Sequence, residues 1–392
     1  MKKILVFFLV FILFLSGNAL VMQEKNKKVD REVNEIKGIY ITYLEYLTYF
    51  QGNALSINKA YIKKILDNVS SLGFNTIFLH VSPFSDSIYE SNLFPYSYTL
   101  TGVEGKNPGM DYLSYFIEEA NKRNLFVHAW INPYRISSSS NIEKISKTNP
   151  AYPLLNTNHV KVSDKGIYYN PASPKVMDLL IKQVYELISK YDLDGIHFDD
   201  YFYPNDEIDL ISYENYSKDN SIPLEEYRLK IINTMIKNVY QTIKNYDKKI
   251  IFSVAPDGNV ENNYSIHYAD VKTWLKEDGY VDIIMPQVYY GFLNQYKPFE
   301  DTLKNWHDLI ENDVKIIPVL AFYKVGNEDV QAGTGKNEWQ LNNNIIKRQI
   351  EFSKSLDKNY GFTLFRYDFL FNEHLFTDKT KEELDNIKKV LN

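Results

Sequence analysis

The sequence of 392 residues has no cysteine, few tryptophans and no surplus of positive charge. Without cysteine, a disulfide framework, a thiolate metal site, a cysteine nucleophile and a lipid-modified N-terminal cysteine are all excluded. The net charge is −6, whereas nucleic-acid-binding proteins normally carry a basic surplus, so we expect no nucleic-acid partner. With 4 Trp against 32 Tyr, tyrosine is the main aromatic residue available for stacking and hydrogen bonding.

The signatures of several enzyme classes are also missing. The seven histidines form no His-Glu-x-x-His motif or other close ligand pair, so we expect no metal site. The segment AGTGK at 332–336 lacks the full spacing of a phosphate-binding loop and the Ser or Thr that should follow it. No Gly-x-Ser-x-Gly elbow is present. We therefore expect no cofactor.

The first 22 residues have the pattern of an export signal. Lys2 and Lys3 precede an unbroken apolar run at 4–15, and the small residues Gly17 and Ala19 follow where a signal peptidase would cut. Residues 4–22 are also just long enough to span a bilayer, so an uncleaved anchor is the alternative. Either way we expect the remainder to be extracytoplasmic, secreted or associated with the cell wall, with no other membrane contact. The charged segment 23–36 predicts a linker, and 37–392 a single catalytic domain.

Eight strand patterns alternate with eight amphipathic helix patterns along this domain. Strands are expected at 38–42, 76–81, 125–131, 195–199, 250–255, 282–288, 315–321 and 361–365. Helices are expected at 58–71, 111–123, 174–191, 224–246, 264–276, 299–311, 341–356 and 379–391. Such alternation predicts an α/β fold with a parallel sheet, and eight units predict a closed (β/α)8 barrel of the TIM type. A doubly wound open sheet would require a glycine-rich turn after the first strand, where the sequence has Tyr43-Leu44-Glu45-Tyr46.

The segment 132–173, after the third strand, shows no regular pattern. Irregular loops of about forty residues are uncommon in compact domains unless they form a lid or a binding loop. In a barrel this loop lies at the catalytic face. We therefore expect an irregular functional loop there.

Polar residues follow nearly every predicted strand. Barrel enzymes carry their reactive groups at the carboxyl ends of the strands, although polar residues also occur wherever a surface loop begins. As a set, these residues predict one polar mouth that binds substrate. The expected substrate-binding residues are Glu45, His80, Asp86, Asn132, Tyr134, Arg135, His197, Tyr203, Gln287, Tyr289 and Arg366.

The fourth strand carries the strongest signal. If Ile196 and Phe198 pack outward, strand alternation points His197, Asp199 and Tyr201 into the barrel. An inward aspartate is costly unless it is paired or catalytic. The structural alternatives are that His197 or Arg366 satisfies Asp199, and that Asp200 orients a neighbouring loop.

The segment DGIHFDDYFYP at 194–204 resembles the fourth-strand signature of the bacterial glycosyl-hydrolase-like family 10, a family of exported proteins. The segments FVHAWINPYR at 126–135, FSVAPDGN at 252–259 and DIIMPQVYYGF at 282–292 are similar to that family in the same order. The resemblance extends from about 37 to 372. It implies a (β/α)8 barrel that cleaves β-linked glycans, and some members are similar to enzymes that cut peptidoglycan strands lacking stem peptides.

Glycoside cleavage usually requires two carboxyl groups, one neutral and one ionised. We assign the ionised or stabilising role to Asp199 and the acid to Asp200, with Asp257 as the next candidate partner. The fourth strand is also similar to the chitinase pattern Asp-Gly-x-Asp-x-Asp-x-Glu, but Tyr201 stands where that pattern has its acid. Retaining, inverting and substrate-assisted courses all stay open, and a non-catalytic cell-wall glycan-binding barrel is the alternative function.

Overall fold

The computed structural model describes residues 33–200, 202–203 and 207–391. The predicted export signal at 1–22 and the linker residues up to 32 lie outside the described residues. Among the helices that are described, none combines the length and the apolar character needed to cross a bilayer. All elements given below belong to one compact unit, Glu35–Asn392.

Eight parallel strands form the central sheet of the described chain. They are β1 Ile36–Ile41, β2 Thr76–Ser82, β3 Phe126–Ile131, β4 Gly195–Phe198, β5 Ile251–Val254, β6 Ile283–Ile284, β7 in two segments, Lys315–Ile316 and Val319–Ala321, and β8 Gly361–Phe365. Each strand pairs with the next along the chain, and β8 also pairs with β1.

The ring closes through the interrupted seventh strand. The first segment of β7 pairs with β6 and the second pairs with β8, while Gln287 bridges to Val319. Pro318 lies between the segments and has no N–H to donate, but its carbonyl accepts the Thr363 N–H across 3.0 Å. The predicted (β/α)8 barrel is therefore confirmed.

Helices surround this barrel in the described residues. They are α1 Tyr43–Tyr49, α2 Leu55–Leu72, α3 Tyr98–Thr101, α4 Tyr112–Asn121, α5 Pro174–Lys190, α6 Leu210–Ser217, α7 Leu224–Tyr246, α8 Val260–Ser265, α9 Val271–Lys276, α10 Phe299–Asp308, α11 Glu338–Leu341, α12 Ile345–Ser353, α13 Tyr367–Phe371 and α14 Thr380–Leu391. The apolar stripes predicted on α2 and α5 are buried, as Ile62, Leu66 and Val184 illustrate.

The helix predicted at 264–276 is wrong as a single element. The chain instead forms α8 and α9, with a break between them. Tyr268 adopts a left-handed backbone conformation with φ of 50°, and the Asp270 side chain accepts the Thr273 N–H as the N-cap of α9. Both features end one helix and begin another, although the apolar periodicity runs through them.

The segment after β3 is not irregular, contrary to expectation. It contains a small antiparallel sheet whose strands are Arg135–Ser137, Val160–Ser163 and Gly166–Tyr169, with the last strand in the centre. The Tyr169 N–H donates to the Tyr134 carbonyl across 2.8 Å, immediately before Arg135. This sheet therefore fixes Arg135 near the carboxyl end of β3.

Aromatic rings fill the interior of the barrel. The ring centroid of Phe78 lies 4.8 Å from the ring centroid of His128 and 4.8 Å from that of His197. Gly195 and Gly38 leave the space for this layer, because a Cβ atom at Gly195 would lie 2.4 Å from the His128 ring and one at Gly38 2.8 Å from the Phe78 ring. The barrel interior is therefore packed with side chains, as in other barrels of this size.

Candidate active site

A cavity of about 360 Å³ opens above the aromatic layer at the carboxyl ends of the strands. Its walls come from residues in or directly after β1, β2, β3, β4, β5, β6 and β8. They are Tyr40, Thr42, Tyr43, Leu44, His80, Trp130, Asn132, Arg135, Asp199, Asp200, Ala255, Gln287, Tyr289 and Phe365. A volume of this order is in the range of small-molecule sites.

A chain of three polar side chains crosses β2, β3 and β4. Asn132 Nδ2 donates to Asp199 Oδ2 across 2.7 Å, and Asn132 Oδ1 contacts His80 Nε2 in a short hydrogen bond. Because the amide oxygen only accepts, Nε2 of His80 carries the proton. Burial lowers the pKa of His80 well below its ordinary value, so the ring is neutral. The carboxylate of Asp199 is thus held by a donor that is itself fixed by a neutral imidazole.

His80 is held in turn by an aromatic neighbour. Its ring stacks on the Trp130 indole with centroids 3.7 Å apart and nearly parallel planes. Trp130 is 6% exposed and lines the cavity. Stacking on one face and the hydrogen bond to Asn132 leave His80 little rotational freedom, so the chain toward Asp199 is rigid.

Asp200 stands beside Asp199 in a different environment. Burial raises the pKa of Asp200, the His267 charge and a hydrogen bond from Gln287 act to lower it, and the charge of Asp257 adds to the rise. Gln287 is itself positioned by donating to the Ala255 carbonyl across 2.9 Å. A carboxyl group with a raised pKa holds its proton and can act as an acid.

Both aspartates reach the cavity because β4 ends just before them. Phe198, the last strand residue, packs outward against the Phe252 ring at 5.3 Å between centroids. Strict alternation would place Asp199 inward and Asp200 outward. Beyond Phe198 the backbone is no longer extended in a ladder, so two consecutive side chains can share one cavity.

Asp257 lies next to this pair but outside the cavity lining. Burial acts to raise its pKa, but the nearby His267 ring, the Asn262 amide and the Asn259 N–H outweigh it and lower the pKa. The Asn259 N–H donates across 2.7 Å, and His267 Nε2 lies 3.8 Å from the carboxylate. Asp257 is therefore a stable anion that acts on Asp200 through its charge.

Asp200, Asp257 and His267 together form the group in the described residues that could hold a metal ion. Their ligand atoms lie within 4.8 Å of one another. Two of the ligands are oxygens and one is an imidazole nitrogen, a mixture compatible with a first-row divalent ion. The sequence predicted no metal site, because its histidines form no His-Glu-x-x-His motif or other close ligand pair along the chain, whereas these three residues come from three separate loops.

His197 lies beneath the cavity and does not line it. Its Nε2 is 2.8 Å from the Tyr40 hydroxyl and its Nδ1 is 2.8 Å from the Ser253 hydroxyl. Burial lowers the pKa of His197 well below its ordinary value. This neutral ring joins β4 to β1 and β5, and it does not contact Asp199 in the way that the structural alternative required.

Glu45 and Arg366 form a buried ion pair beside the cavity. Arg366 Nη1 lies 2.5 Å from Glu45 Oε1 and 3.2 Å from Asp368 Oδ2. Glu45 Oε2 accepts the Thr42 N–H across 2.8 Å, which completes the capping box of α1. The two residues predicted to bind substrate are thus engaged with each other and with the ends of β1 and β8.

Three further residues expected at the mouth lie away from the cavity. Tyr134 is 1% exposed in the core, and the hydroxyl of Tyr203 donates to Asp209 across 3.0 Å. Asp86 is 1% exposed and accepts the Phe84 N–H across 3.0 Å. All three side chains are buried against the protein and do not face the cavity.

The structure thus brings together half of the expected site. The cavity contains His80, Asn132, Arg135, Asp199, Asp200, Gln287 and Tyr289 from the predicted set. Sequence reasoning missed Tyr40, Thr42, Tyr43, Leu44, Ala255 and Phe365, and Tyr201 lies outside the described residues. The same rule of strand ends could have found 42–44, because β1 ends at Ile41.

A pair of carboxyl groups in a polar cavity at the mouth of a (β/α)8 barrel is typical of glycoside hydrolases. The model of the family described as Glycosyl hydrolase-like 10 matches residues 35–334. The chain therefore belongs to glycosyl-hydrolase-like family 10, as the sequence resemblance implied.

Two similar proteins are also named glycosyl hydrolases. The chain is 32% identical to Glycosyl hydrolase YngK of Bacillus subtilis over 370 residues, covering 85% of this chain and 70% of YngK. It is 30% identical to Glycosyl hydrolase DigH of Escherichia coli K12 over 333 residues, covering 78% and 74% of the two chains. This chain is accordingly a glycoside hydrolase.

A solved structure shows the same fold at low identity. The glycoside hydrolase domain of PgaB (BpsB) from Bordetella bronchiseptica superposes with a TM-score of 0.59 and 12% identity. The match covers 91% of this chain and 99% of that domain. At this identity the likeness concerns the barrel alone.

Proposed function

We propose that the protein is an exported hydrolase that cleaves the β-linked glycan strands of peptidoglycan, or a related amino-sugar polymer, with Asp199 and Asp200 as its catalytic carboxyl groups. The observation that carries this proposal is the placement of two adjacent carboxyl groups in one cavity with different surroundings. Environments that favour ionisation of one carboxyl and protonation of the other define an acid and its partner.

Asp199 takes the role of the ionised carboxylate. The charge-neutral donor Asn132 holds its Oδ2 at 2.7 Å and stabilises the anion. An anion at this position stabilises the positive charge that develops on the sugar ring in the transition state. It can do so as nucleophile, as base for a water, or by orienting the acetamido group of the substrate.

Asp200 takes the role of the acid. Burial keeps its carboxyl group protonated at a higher pH than an exposed aspartate. The proton passes from Asp200 to the glycosidic oxygen as the bond to the leaving sugar breaks. Asp257 supports this role from outside the cavity, because its negative charge opposes ionisation of Asp200.

The cavity offers further groups for sugar hydroxyls and amides. Gln287 and Tyr289 stand on the β6 side, and Tyr43 stands on the β1 side. Planar rings beside hydrogen-bonding side chains suit the apolar face and the polar rim of a sugar. The family resemblance to enzymes of denuded peptidoglycan supports an amino-sugar polymer as the substrate.

The N-terminal pattern at 1–22 supports export, since a basic start, an apolar run and small residues are what a signal peptide requires. Mass spectrometry of the full-length protein expressed in a bacterial host, with separation of membrane and medium, tests this. We expect a mature chain that begins soon after Ala19. A full-length chain in the membrane fraction supports the anchored alternative, and a full-length chain in the cytoplasm contradicts export.

The catalytic assignment is tested with Asp199→Asn and Asp200→Asn on denuded peptidoglycan strands, chitin-like oligomers and exopolysaccharide. We expect each variant to lose about 10²–10⁴-fold in the release of reducing ends while its unfolding transition stays intact. Mass spectrometry of the new ends identifies the glycan and the linkage. Asp385→Asn is the matched control, because that side chain is 69% exposed and pairs with Lys388 at 3.0 Å, away from the cavity. Full activity in both active-site variants refutes the assignment.

A further inference from the structure

The described residues that line the cavity include one permanently cationic side chain, Arg135. Its guanidinium carbon lies 4.6 Å from the ring centroid of Phe84 and 6.0 Å from that of Tyr43. Arg135 opens the first strand of the small antiparallel sheet, where it pairs with Tyr168. Two aromatic rings and a strand ladder therefore hold a half-buried positive charge at a fixed place in the wall.

This charge stands on one side of the cavity. Tyr43 and Phe84, which contact Arg135, follow β1 and β2, whereas Asp200 and Gln287 follow β4 and β6. Asn132, which holds Asp199, lies between the two sides. Arg135 itself follows β3, which pairs with β4, so its charge and the two carboxyl groups line one cavity from neighbouring strands.

We propose that Arg135 binds a carboxylate carried by a sugar next to the scissile bond, so that the enzyme selects a glycan with a free acid on alternate sugars. This inference rests on the proposed function, and it names the chemical group that the site reads. A guanidinium presents a planar pair of N–H donors that matches a carboxylate, and it binds a neutral amide less strongly.

This geometry explains why strands without stem peptides are suitable. In such strands the lactyl ether on every second sugar ends in a free carboxylate. In strands with stem peptides the same carbon forms an amide, which has no charge and carries a bulky chain. Arg135 therefore favours the denuded strand through charge.

Binding of the carboxylate by Arg135 would also fix the register in which the glycan is cleaved. Because the two sugars of the repeat alternate, Arg135 meets the carboxylate in only one of the two possible registers. Cleavage at the aspartates then always falls on the same one of the two linkages. Every new reducing end is consequently the same type of sugar.

The test compares denuded peptidoglycan strands with the same strands after their carboxylates have been converted to methyl amides. We expect wild-type kcat/KM to be about 30-fold higher on the free acid, which corresponds to about 2 kcal/mol. Arg135→Gln should cleave both strands with the kcat/KM that wild type shows on the amide, so its ratio of acid to amide should be near one. Arg135→Lys should give an intermediate ratio, because an ammonium keeps the charge without the planar donor pair.

Arg348→Gln is the matched control. Arg348 also stacks on an aromatic ring, with its guanidinium carbon 4.1 Å from the Phe292 centroid, but it does not line the cavity. We expect this variant to keep the wild-type ratio of acid to amide. A ratio that falls equally in both arginine variants overturns the inference, because it assigns the effect to general loosening.

Four other results also decide the matter. Equal wild-type rates on acid and amide strands overturn the inference without any variant, even if Arg135→Gln does not fold. An equal loss on both strands in Arg135→Gln assigns Arg135 to the shape of the wall and overturns it as well. Absence of cleavage of every glycan by the wild type refutes the proposed function itself, whereas cleavage with mixed reducing ends refutes only the register.

Discussion

The side-chain amide of Asn132 donates to the Asp199 carboxylate across 2.7 Å, so a residue after β3 positions the carboxylate that follows β4, for which we propose a catalytic role. The other end of this amide contacts His80 from β2. Three neighbouring strands therefore determine the position of one carboxylate. A site built on the ends of barrel strands keeps its geometry because those strands are the most rigid part of the fold.

Asn132→Ala should lower kcat by about 10–100-fold, because Asp199 loses the donor that orients it. KM should change much less, since Gln287 and Tyr289, for which we propose contacts to the sugar, still line the cavity. Steady-state kinetics on denuded glycan strands measures both constants. Asn233→Ala is the control, because Asn233 also donates to an aspartate, Asp270, across 3.0 Å but lies outside the cavity. A kcat for Asn132→Ala within twofold of wild type contradicts the positioning role.

The strand-end rule predicted much of this site from the sequence. It found Asn132, Asp199, Asp200 and Gln287, because parallel strands point their carboxyl ends toward one face. It also predicted the barrel itself, since alternation of strand and helix patterns depends only on local periodicity. These features are local in sequence, which is why one chain without a structure revealed them.

Contacts between distant residues could not be predicted in the same way. Glu45 lies on α1, just after β1, and Arg366 directly follows β8, so the two become neighbours only when β1 and β8 pair to close the barrel. His267 approaches Asp200 from the break between α8 and α9, where apolar periodicity had predicted a continuous helix. Tyr134 and Tyr203 follow strands but fold into the core. Position after a strand shows that a residue is near the mouth, but not the direction of its side chain.

Removing the charge of His267 or of Asp257 should shift the alkaline limb of the pH–rate profile in opposite directions. If Asp200 is the acid, the rate falls as pH rises through its pKa, so this pKa sets the alkaline limb. His267 lowers that pKa and Asp257 raises it. His267→Gln should therefore move the alkaline limb to higher pH, and Asp257→Asn should move it to lower pH. The pH profile of kcat/KM measures both shifts.

The control for this pair is His307→Gln. Like His267 beside Asp257, His307 lies beside an aspartate, Asp357, with 2.5 Å between Nε2 and Oδ1. His307 is on α10, outside the cavity. Its removal should leave the alkaline limb where it is. Shifts of the same sign in His267→Gln and Asp257→Asn exclude Asp200 as the group that sets the limb.

Substitution of Glu45 should lower the free energy of unfolding and leave KM unchanged. Glu45→Gln removes the nearer of the two carboxylates that face the nearly buried Arg366 and leaves Asp368 at 3.2 Å, so we expect a loss of about 1–3 kcal/mol. Urea unfolding at neutral pH measures this loss. Glu118→Gln breaks an exposed pair with Lys122 at 2.7 Å and should cost less than about 0.5 kcal/mol. A raised KM with unchanged stability in Glu45→Gln shows instead that Glu45 contacts substrate.

Ionisation of the buried Asp86 carboxyl group should make the protein less stable as pH rises. Burial raises the pKa of Asp86 from 3.8 to about 7, opposed by hydrogen bonds from Ser97 and the Phe84 N–H. Between these values the folded protein keeps a proton that the unfolded chain has released, so the free energy of unfolding falls as pH increases. Above pH 7 the buried carboxylate is ionised and its full cost is present. Asp86→Asn keeps the shape but does not ionise, so it should be more stable than wild type at pH 8 by roughly 2–4 kcal/mol.

Denaturant unfolding of wild type and Asp86→Asn at several pH values measures this difference. Burial also raises the pKa of Glu383 to about 7, but Glu383 is present in both proteins and its contribution cancels in the comparison. Asp178→Asn, at an exposed position paired with Lys182 at 2.6 Å, should leave the pH dependence of wild type unchanged. If the curves of wild type and Asp86→Asn run parallel from pH 4 to pH 8, the buried carboxyl group of Asp86 does not titrate in this interval.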